Sequence, residues 1–390
     1  MKPLTAETSE RDRAGRPDDP TILNRMEIDL KALDHNFRLV RKIVGPGVRI
    51  HPSVKSGAYG LAISDVAQRF AALGAEAISC GSYEDARTVR DAGLTDTDVV
   101  VFGTILPSGI PAYLDLNLIP TVHNMELAEA VSSCTTRPAR VYVKVDAGLG
   151  RLGFPIRTAE AAILKIARMP NVVVEGIYTH LPFSDADGAR WAQERTALFD
   201  ALIDRLRRGG LSVPVTQARS SPGVIFGIND SCNSVAPGGA LYGKPPLAND
   251  LADFSAFRPV LSAIRSRLIH ISPDAADRTP GMFGRYAHRV TGATGVIPFG
   301  RKDGNDAARS GHTSFAIVKG VKAPVLAVSS EQSVLDLSNV PDPKLGDDVT
   351  ILGRDGELEV TLPDLARWRE TGMNDVLLMM RGRMPQVIRQ

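Results

Sequence analysis

A lysine, Lys55, stands in the stretch "HPSVKSGAYG" directly after a short strand-like run and before glycine, alanine and an aromatic. An amine among small and aromatic residues gives up its proton through desolvation more readily than a surface lysine, and a neutral amine is what Schiff-base chemistry with a carbonyl requires. Gly57 and Gly60 leave room for a flat ligand close to the backbone. Further on, "APGGALYG" places the consecutive amides of Gly238 and Gly239 at a strand end, an arrangement suited to a phosphate monoester. His180 after "VEGIYT", Arg151 after "VYVKVDAGLG", and Arg219 with Ser220 after "VPVTQA" put polar groups at other strand ends. Taken singly each has a plainer reading: a strand-end lysine with its stem along apolar surface, a core histidine, an ordinary glycine turn. Taken together, an amine for an aldehyde, a nest for a phosphate and polar groups for a pyridine ring describe pyridoxal 5'-phosphate.

The elements that position these residues are legible from period and punctuation. From Met26 to about Tyr242, short apolar strands alternate with helical stretches, as in "VRIHPSV" with "AISDVAQRFAALG" and "RVYVKVD" with "TAEAAILKIARM". About eight such units predict parallel βαβ pairs closed into a (β/α)8 barrel, and chemistry in such barrels gathers at the C-terminal strand ends. After Pro245 the texture turns β-branched and Gly/Pro-punctuated ("HRVTGATGVIPFG", "KAPVLAVSS", "DDVTILG"), with helical period mainly near "LPDLARWRETG". The expected organisation is a charged, disordered tail over 1–24, a cofactor-binding barrel over 25–250, and a mostly antiparallel β domain over 251–390.

Composition bounds the partners. The 390 residues, 43% hydrophobic, fill two sizeable cores. Forty-six Lys+Arg against 44 Asp+Glu leave a formal net charge of +2 without long runs of one sign. Neither nucleic acid nor a membrane surface is implied, and the expected partner is a small amino-acid-like substrate or a second copy of the chain. Cys80, Cys134 and Cys232 are widely spaced and odd in number, fitting neither a disulfide framework nor a zinc site, so no metal is read and a cytoplasmic location is expected. No apolar run approaches the ~18 residues of a membrane span, and no apolar signal core opens the chain.

From "LKALDHNF" to "RMPQVI" the chain resembles the alanine racemase family of fold-type III pyridoxal-phosphate enzymes, as a diverged member. "SVKSGAYG" is similar to that family's "VKANAYG", "KVDAGLGRLGF" to "KIDTGMGRLGF", "TH" to "THF", and "APGGALYG" to "RPGIALYG". Several ordered motifs over so long a span make a specific match. The resemblance implies that Lys55 holds the cofactor through an imine and is one of two acid/base groups at Cα. It implies that Tyr59, Ser220 and the amides near Gly238 and Gly239 bind the phosphate, that His180 faces the ring, and that Arg151 reaches the phenolic oxygen or the substrate carboxylate, a bidentate role suited to guanidinium. Lys144 falls where some members carry a carbamylated lysine; the alternative is an unmodified strand lysine. The family is a head-to-tail homodimer with shared active sites, which would bring Phe283, Tyr286, Ser330 and Glu331 to the neighbour's barrel mouth.

The departures from the family cluster at the chemistry. In "TPGMFGRYAHRV" the register sets Phe283 where a partner-subunit tyrosine is the second base, and phenylalanine carries no proton; a one-residue slip brings in Tyr286, with His288 a more distant candidate. Ala236 replaces the arginine that holds the pyridine nitrogen, while Arg219 stands where the family has asparagine, so Arg219 is expected to take the ring nitrogen or a substrate acid group. "MDQ" becomes "SEQ" at Ser330 to Gln332, Arg301 replaces an entrance tyrosine, and Asn374 replaces a phosphate-binding tyrosine. The expected function is therefore an amino-acid racemase or epimerase, an isomerase, whose substrate is not simply alanine. The alternatives are another reaction of the same cofactor (β-elimination, retro-aldol cleavage or transamination) or a cofactor-binding protein without turnover.

Overall fold

The computed structural model describes residues 19–248, 250–274, 292–306 and 313–389. It divides into two compact units, one of Lys31–Ala58 and Ile63–Pro259, the other of the chain up to Leu30, Tyr59–Ala62 and Val260 onward. Phe283, Tyr286 and His288 lie outside the described residues.

The first unit is the expected barrel. Its strands Arg49–Ile50, Ile78–Cys80, Val99–Val101, Ile119–Val122, Ala139–Asp146, Val172–Tyr178, Val215–Gln217 and Ser234–Val235 pair in parallel around a ring. The ring closes where Ser53 bridges Ser79, with Val54 N–H donating to Ser79 O at 2.8 Å and Ser79 N–H to Pro52 O at 2.9 Å. Alternation along each strand sends one set of side chains inward and the other toward the helices. Ala77, Val100, Ile119, Tyr142, Tyr178 and Val215 form the inner cluster, whereas Val141, Val143, Val145, Ile177, Phe199 and Leu202 belong to a larger cluster shared with the helical layer. The helices begin where the sequence supplies caps: Ser82 for Tyr83–Asp91, Asn124 for Met125–Cys134 and Asp185 for Ala186–Arg208 each accept a backbone N–H three residues on.

The second unit is built on a ten-stranded sheet, mostly antiparallel. The strand Arg25–Asp29 belongs to this sheet, pairing antiparallel with Leu261–Arg267 and parallel with Gln386–Arg389. Glu27 locks it, bound by Arg25 at 3.1 Å and Arg389 at 2.6 Å. Thr361 and Asp364 form a capping box at the start of Leu362–Trp368, and Met373–Met380 follows.

Candidate active site

The inward alternation that places Tyr142 and Tyr178 in the barrel core carries on to Lys144 and His180 one step nearer the C-terminal ends. On the strand after Arg49 the same step leads through His51 and Ser53 to Lys55. Past Lys55 the backbone does something the sequence does not announce. Ser56, Gly57, Ala58, Tyr59 and Gly60 all have φ between +52° and +88°, a left-handed helical turn that includes three residues with side chains. Such a turn costs roughly 1–2 kcal/mol per non-glycine residue and forms only where its surroundings dictate it. The buried carboxylate of Asp85 supplies that constraint, accepting the N–H of Ser56 at 2.8 Å and of Gly57 at 2.9 Å.

Behind Lys55 stands Gly81. A Cβ at residue 81 would lie 2.9 Å from Lys55 Cβ, so this strand end is glycine because the lysine stem occupies the space. Burial pushes the Lys55 amine below its ordinary range, and the charge of Arg151 pushes it the same way. Lys144, whose Nζ lies 4.7 Å above the Tyr178 ring, is pushed down to about 8 by burial and then by Arg151. His180 falls to about 3 through burial, with Lys144, Lys55 and Arg151 all opposing a positive imidazole. Lys55, Lys144, Arg151 and His180 are therefore within electrostatic reach of one another. Asp146 shapes the loop that carries Arg151, its carboxylate accepting the N–H groups of Gly148, Leu149, Gly150 and Arg151 at 2.8–3.2 Å.

The phosphate candidate lies on the neighbouring strand ends. Ser221 Oγ accepts Gly238 N–H at 2.9 Å and Ala240 N–H at 3.1 Å, pinning the glycine turn to the start of Ser221–Phe226. The hydroxyl beside it, Ser220 Oγ, is buried and has no partner among the described residues. Gly239 N–H opens the following 3-10 turn, where no acceptor within the turn is available to it. A buried hydroxyl without a partner next to a backbone amide of this kind fits a bound phosphate, because burying such groups unpaired is costly. Tyr242, from the same motif, instead donates to Ser53 O at 3.0 Å and ties this turn to the Lys55 strand. The residues present thus fit pyridoxal 5'-phosphate.

Arg219 has a partner that the sequence pattern did not reveal. Its Nε donates to Asp230 Oδ2 at 3.1 Å, and the Asp230 side chain is fully buried. Burial raises the Asp230 carboxyl to about 6, the pull of Arg219 opposing that rise. His123, also missed, follows a strand in the series that holds the other candidate residues; burial pushes its imidazole down, a hydrogen bond it donates to the Gly103 backbone opposes this, and Lys144 adds to the lowering.

Within the second unit, Arg301, Ser330 and Glu331 are brought together. Arg301 N–H donates to Ser329 O at 3.0 Å and Lys302 N–H to Ser330 O at 2.9 Å, while Lys302 Nζ pairs with Glu331 at 2.5 Å. Arg301 faces Asp306 at 3.9 Å. Asn374 is exposed in the first turn of Met373–Met380. Tyr59 is buried, in the left-handed turn, and the same short segment is held by Gln386, which accepts Ala62 N–H at 2.6 Å and donates to Gly60 O at 2.9 Å.

Comparison with known proteins places this geometry. Residues 28–246 match the profile of the alanine racemase N-terminal domain and residues 261–388 that of its C-terminal domain. The alanine racemase of Halothermothrix orenii is 28% identical over 365 residues, covering 92% of this chain and 95% of the relative, and that of Desulfosudis oleivorans 29% identical over 374 residues, covering 93% and 95%. The crystal structure of alanine racemase from E. faecalis superposes with a TM-score of 0.84 at 26% identity, covering 95% of this chain and 99% of that one. A Clostridium difficile alanine racemase, at 21% identity and a TM-score of 0.85, shares the fold. The chain belongs to the alanine racemase family, and the cofactor its site fits is that family's pyridoxal 5'-phosphate.

Proposed function

We propose that the chain is an amino-acid racemase or epimerase acting at Cα, with Lys55 as one of its two acid/base groups. The observation that carries this reading is the Lys55 amine, lowered by burial, backed by Gly81 and presented at a barrel strand end. When bound, the cofactor supplies an electron sink that acidifies the Cα–H of an attached amino acid. Every other task falls to the chain. The Lys55 amine, in its neutral form, takes the proton at Cα from one face, and as an ammonium returns it. Ser220 Oγ and the Gly239 amide hold the phosphate, with Tyr59 added by analogy with the family. His180, kept neutral by burial and then by its cationic neighbours, covers the ring without adding charge. Arg151 receives the substrate carboxylate or the phenolic oxygen. Lys144, neutral more readily than an ordinary lysine, is available for carbamylation, which would turn a repulsive neighbour of Arg151 into an attractive one.

Inversion needs a second group on the opposite face, and Tyr286, or a water beside Phe283, is assigned that role, contributed by the partner in a homodimer. Asp230 fixes Arg219 through Nε, and among the described residues the terminal nitrogens carry no hydrogen bond, leaving them for the ring nitrogen or a substrate acid group. With Arg301, Ser330 and Glu331 grouped at one turn, a substrate other than alanine is proposed, handled in the cytoplasm. Ala236 and Phe283 favour a second reading, in which a proton moves on one face only and the outcome is β-elimination, retro-aldol cleavage or transamination.

A panel of L- and D-amino acids incubated with the protein in deuterated water separates these readings. Cα deuteration with inversion supports racemisation. Deuteration or product formation with retained configuration replaces it with the second reading, and a bound cofactor with neither overturns both.

A further inference from the structure

The phosphate turn also carries a cation. Lys244 closes the 3-10 turn Gly239–Tyr242, its N–H donating to Gly239 O at 2.9 Å. Its side chain folds back over the residue that opens the turn: a Cβ on Gly239 would lie 2.8 Å from Lys244 Cε and 3.5 Å from Nζ. The glycine at 239 and the lysine at 244 are thus a matched pair, one leaving the volume that the other fills. The end of the lysine side chain therefore lies beside Gly239, the residue that opens the turn next to Ser221. Ser220, adjacent in sequence to the Ser221 that pins this turn, is more than nine-tenths buried with its oxygen unpartnered. A buried hydroxyl, the amide that opens the turn and the end of a lysine side chain thus belong to one short stretch of structure.

We propose that Lys244 is a cationic ligand of the cofactor's phosphate monoester, making phosphate recognition in this chain a charge-assisted contact as well as a hydrogen-bonded one. The inference rests on the cofactor reading above and extends it to a residue outside the motifs that carry the family resemblance. A phosphate monoester holds between one and two negative charges near neutral pH, its second ionisation lying near 6. A partly buried ammonium beside it gains more than a neutral donor would. Recognition should therefore favour the phosphorylated vitamin over its alcohol, and inorganic phosphate should occupy the same pocket in the cofactor-free protein.

The test compares full-length wild type, Lys244→Met, Lys244→Arg and Gly239→Ala, freed of cofactor, for binding of pyridoxal 5'-phosphate, of pyridoxal and of inorganic phosphate. Lys244→Met is expected to weaken pyridoxal 5'-phosphate roughly 10- to 100-fold, the range of one charged hydrogen bond. Pyridoxal affinity should be unchanged within about 2-fold, since it carries no charge for the lysine to meet. Protection against thermal unfolding by inorganic phosphate should disappear with it. Lys244→Arg should restore most of the difference, and Gly239→Ala, by displacing the lysine, should reproduce part of the loss. Equal weakening of both vitamers, or no weakening of either, overturns the proposal. Because pyridoxal binding reports the fold and the Lys55 amine independently, a wild type that binds neither vitamer overturns the cofactor reading instead.

Discussion

Gly81→Ala is the sharpest perturbation the site offers, because it adds one methyl group behind Lys55 and removes nothing. The new Cβ would stand 2.9 Å from Lys55 Cβ and 3.3 Å from its Cα. Carbon atoms prefer ~3.5–4.0 Å, so the strand end and the lysine backbone must part by about 0.6–1.1 Å. Neither contact is the free tip of a side chain. Lys55 is also the entry to the left-handed turn held by Asp85, whose Oδ2 would lie 3.4 Å from the same methyl. Overpacking of this kind costs typically ~1–3 kcal/mol, a loss that a protein with the usual 5–15 kcal/mol of stability survives. A displacement of about 1 Å at a reacting group costs on the order of 100-fold in rate. The expected protein is folded, melts several degrees lower, and exchanges Cα deuterium about 100-fold more slowly, with weakened cofactor absorption. Gly109→Ala is the control, since its methyl would meet only Ile105 Cγ1 at an ordinary 3.5 Å. A folded Gly81→Ala protein with wild-type exchange would show that the lysine stem does not need this space.

Other expectations follow from single interactions. Lys144→Met removes a positive charge that opposes His180 protonation, so the His180 titration, read by NMR, should move upward from about 3; a downward shift would contradict the grouping of these residues. His51, buried and pushed down to about 4 by desolvation, takes up its proton near 6.5 when unfolded, so the unfolded chain binds more protons between those values and stability falls as pH drops through that window. The upper limit from 2.5 pKa units is about 3 kcal/mol, and His51→Phe should show a flatter acid denaturation profile by chemical denaturation, an unchanged slope refuting it. Arg219→Ala leaves the Asp230 carboxyl buried without its cation, and should alter cofactor affinity or turnover; if spectrum, affinity and turnover all stay as in wild type, Arg219 touches neither ring nor substrate. Light scattering after size exclusion should give a dimer, and an active monomer would rule out the shared site.

Much of this molecule is readable in one dimension, for a physical reason. Barrel strands are short apolar runs with a period of two, helices carry caps, and both signals are local; Ser82, Asn124 and Asp185 announce their helices within three residues. Candidate residues at strand ends, such as Lys55, His180, Ser220 and Gly239, inherit that legibility because their strands are local signals. His123 carries the same signal at the end of "IPTVHN". What stayed hidden depends on pairing at a distance. The left-handed turn has only two glycines in "KSGAYG", and its cause, Asp85, lies nearly thirty residues on. Asp230 finds Arg219 through the fold rather than through a pattern, and Gly239 reads as an ordinary turn glycine until Lys244 is seen against it. Likewise Arg25–Asp29 has the texture of a first barrel strand, yet its hydrogen bonds go to Leu261–Arg267 and Gln386–Arg389, partners that lie more than two hundred residues away.

The central claim is that one amine, that of Lys55, holds the vitamin aldehyde and shuttles the proton. Borohydride reduction of the cofactor-loaded protein, followed by proteolysis and mass spectrometry, reads this directly. The account predicts a single pyridoxyl label, on the peptide containing "SVKSGAYG", at Lys55 and in near-stoichiometric amount. A label on Lys144 or Lys244, or a protein that reduction leaves unmodified, would contradict it.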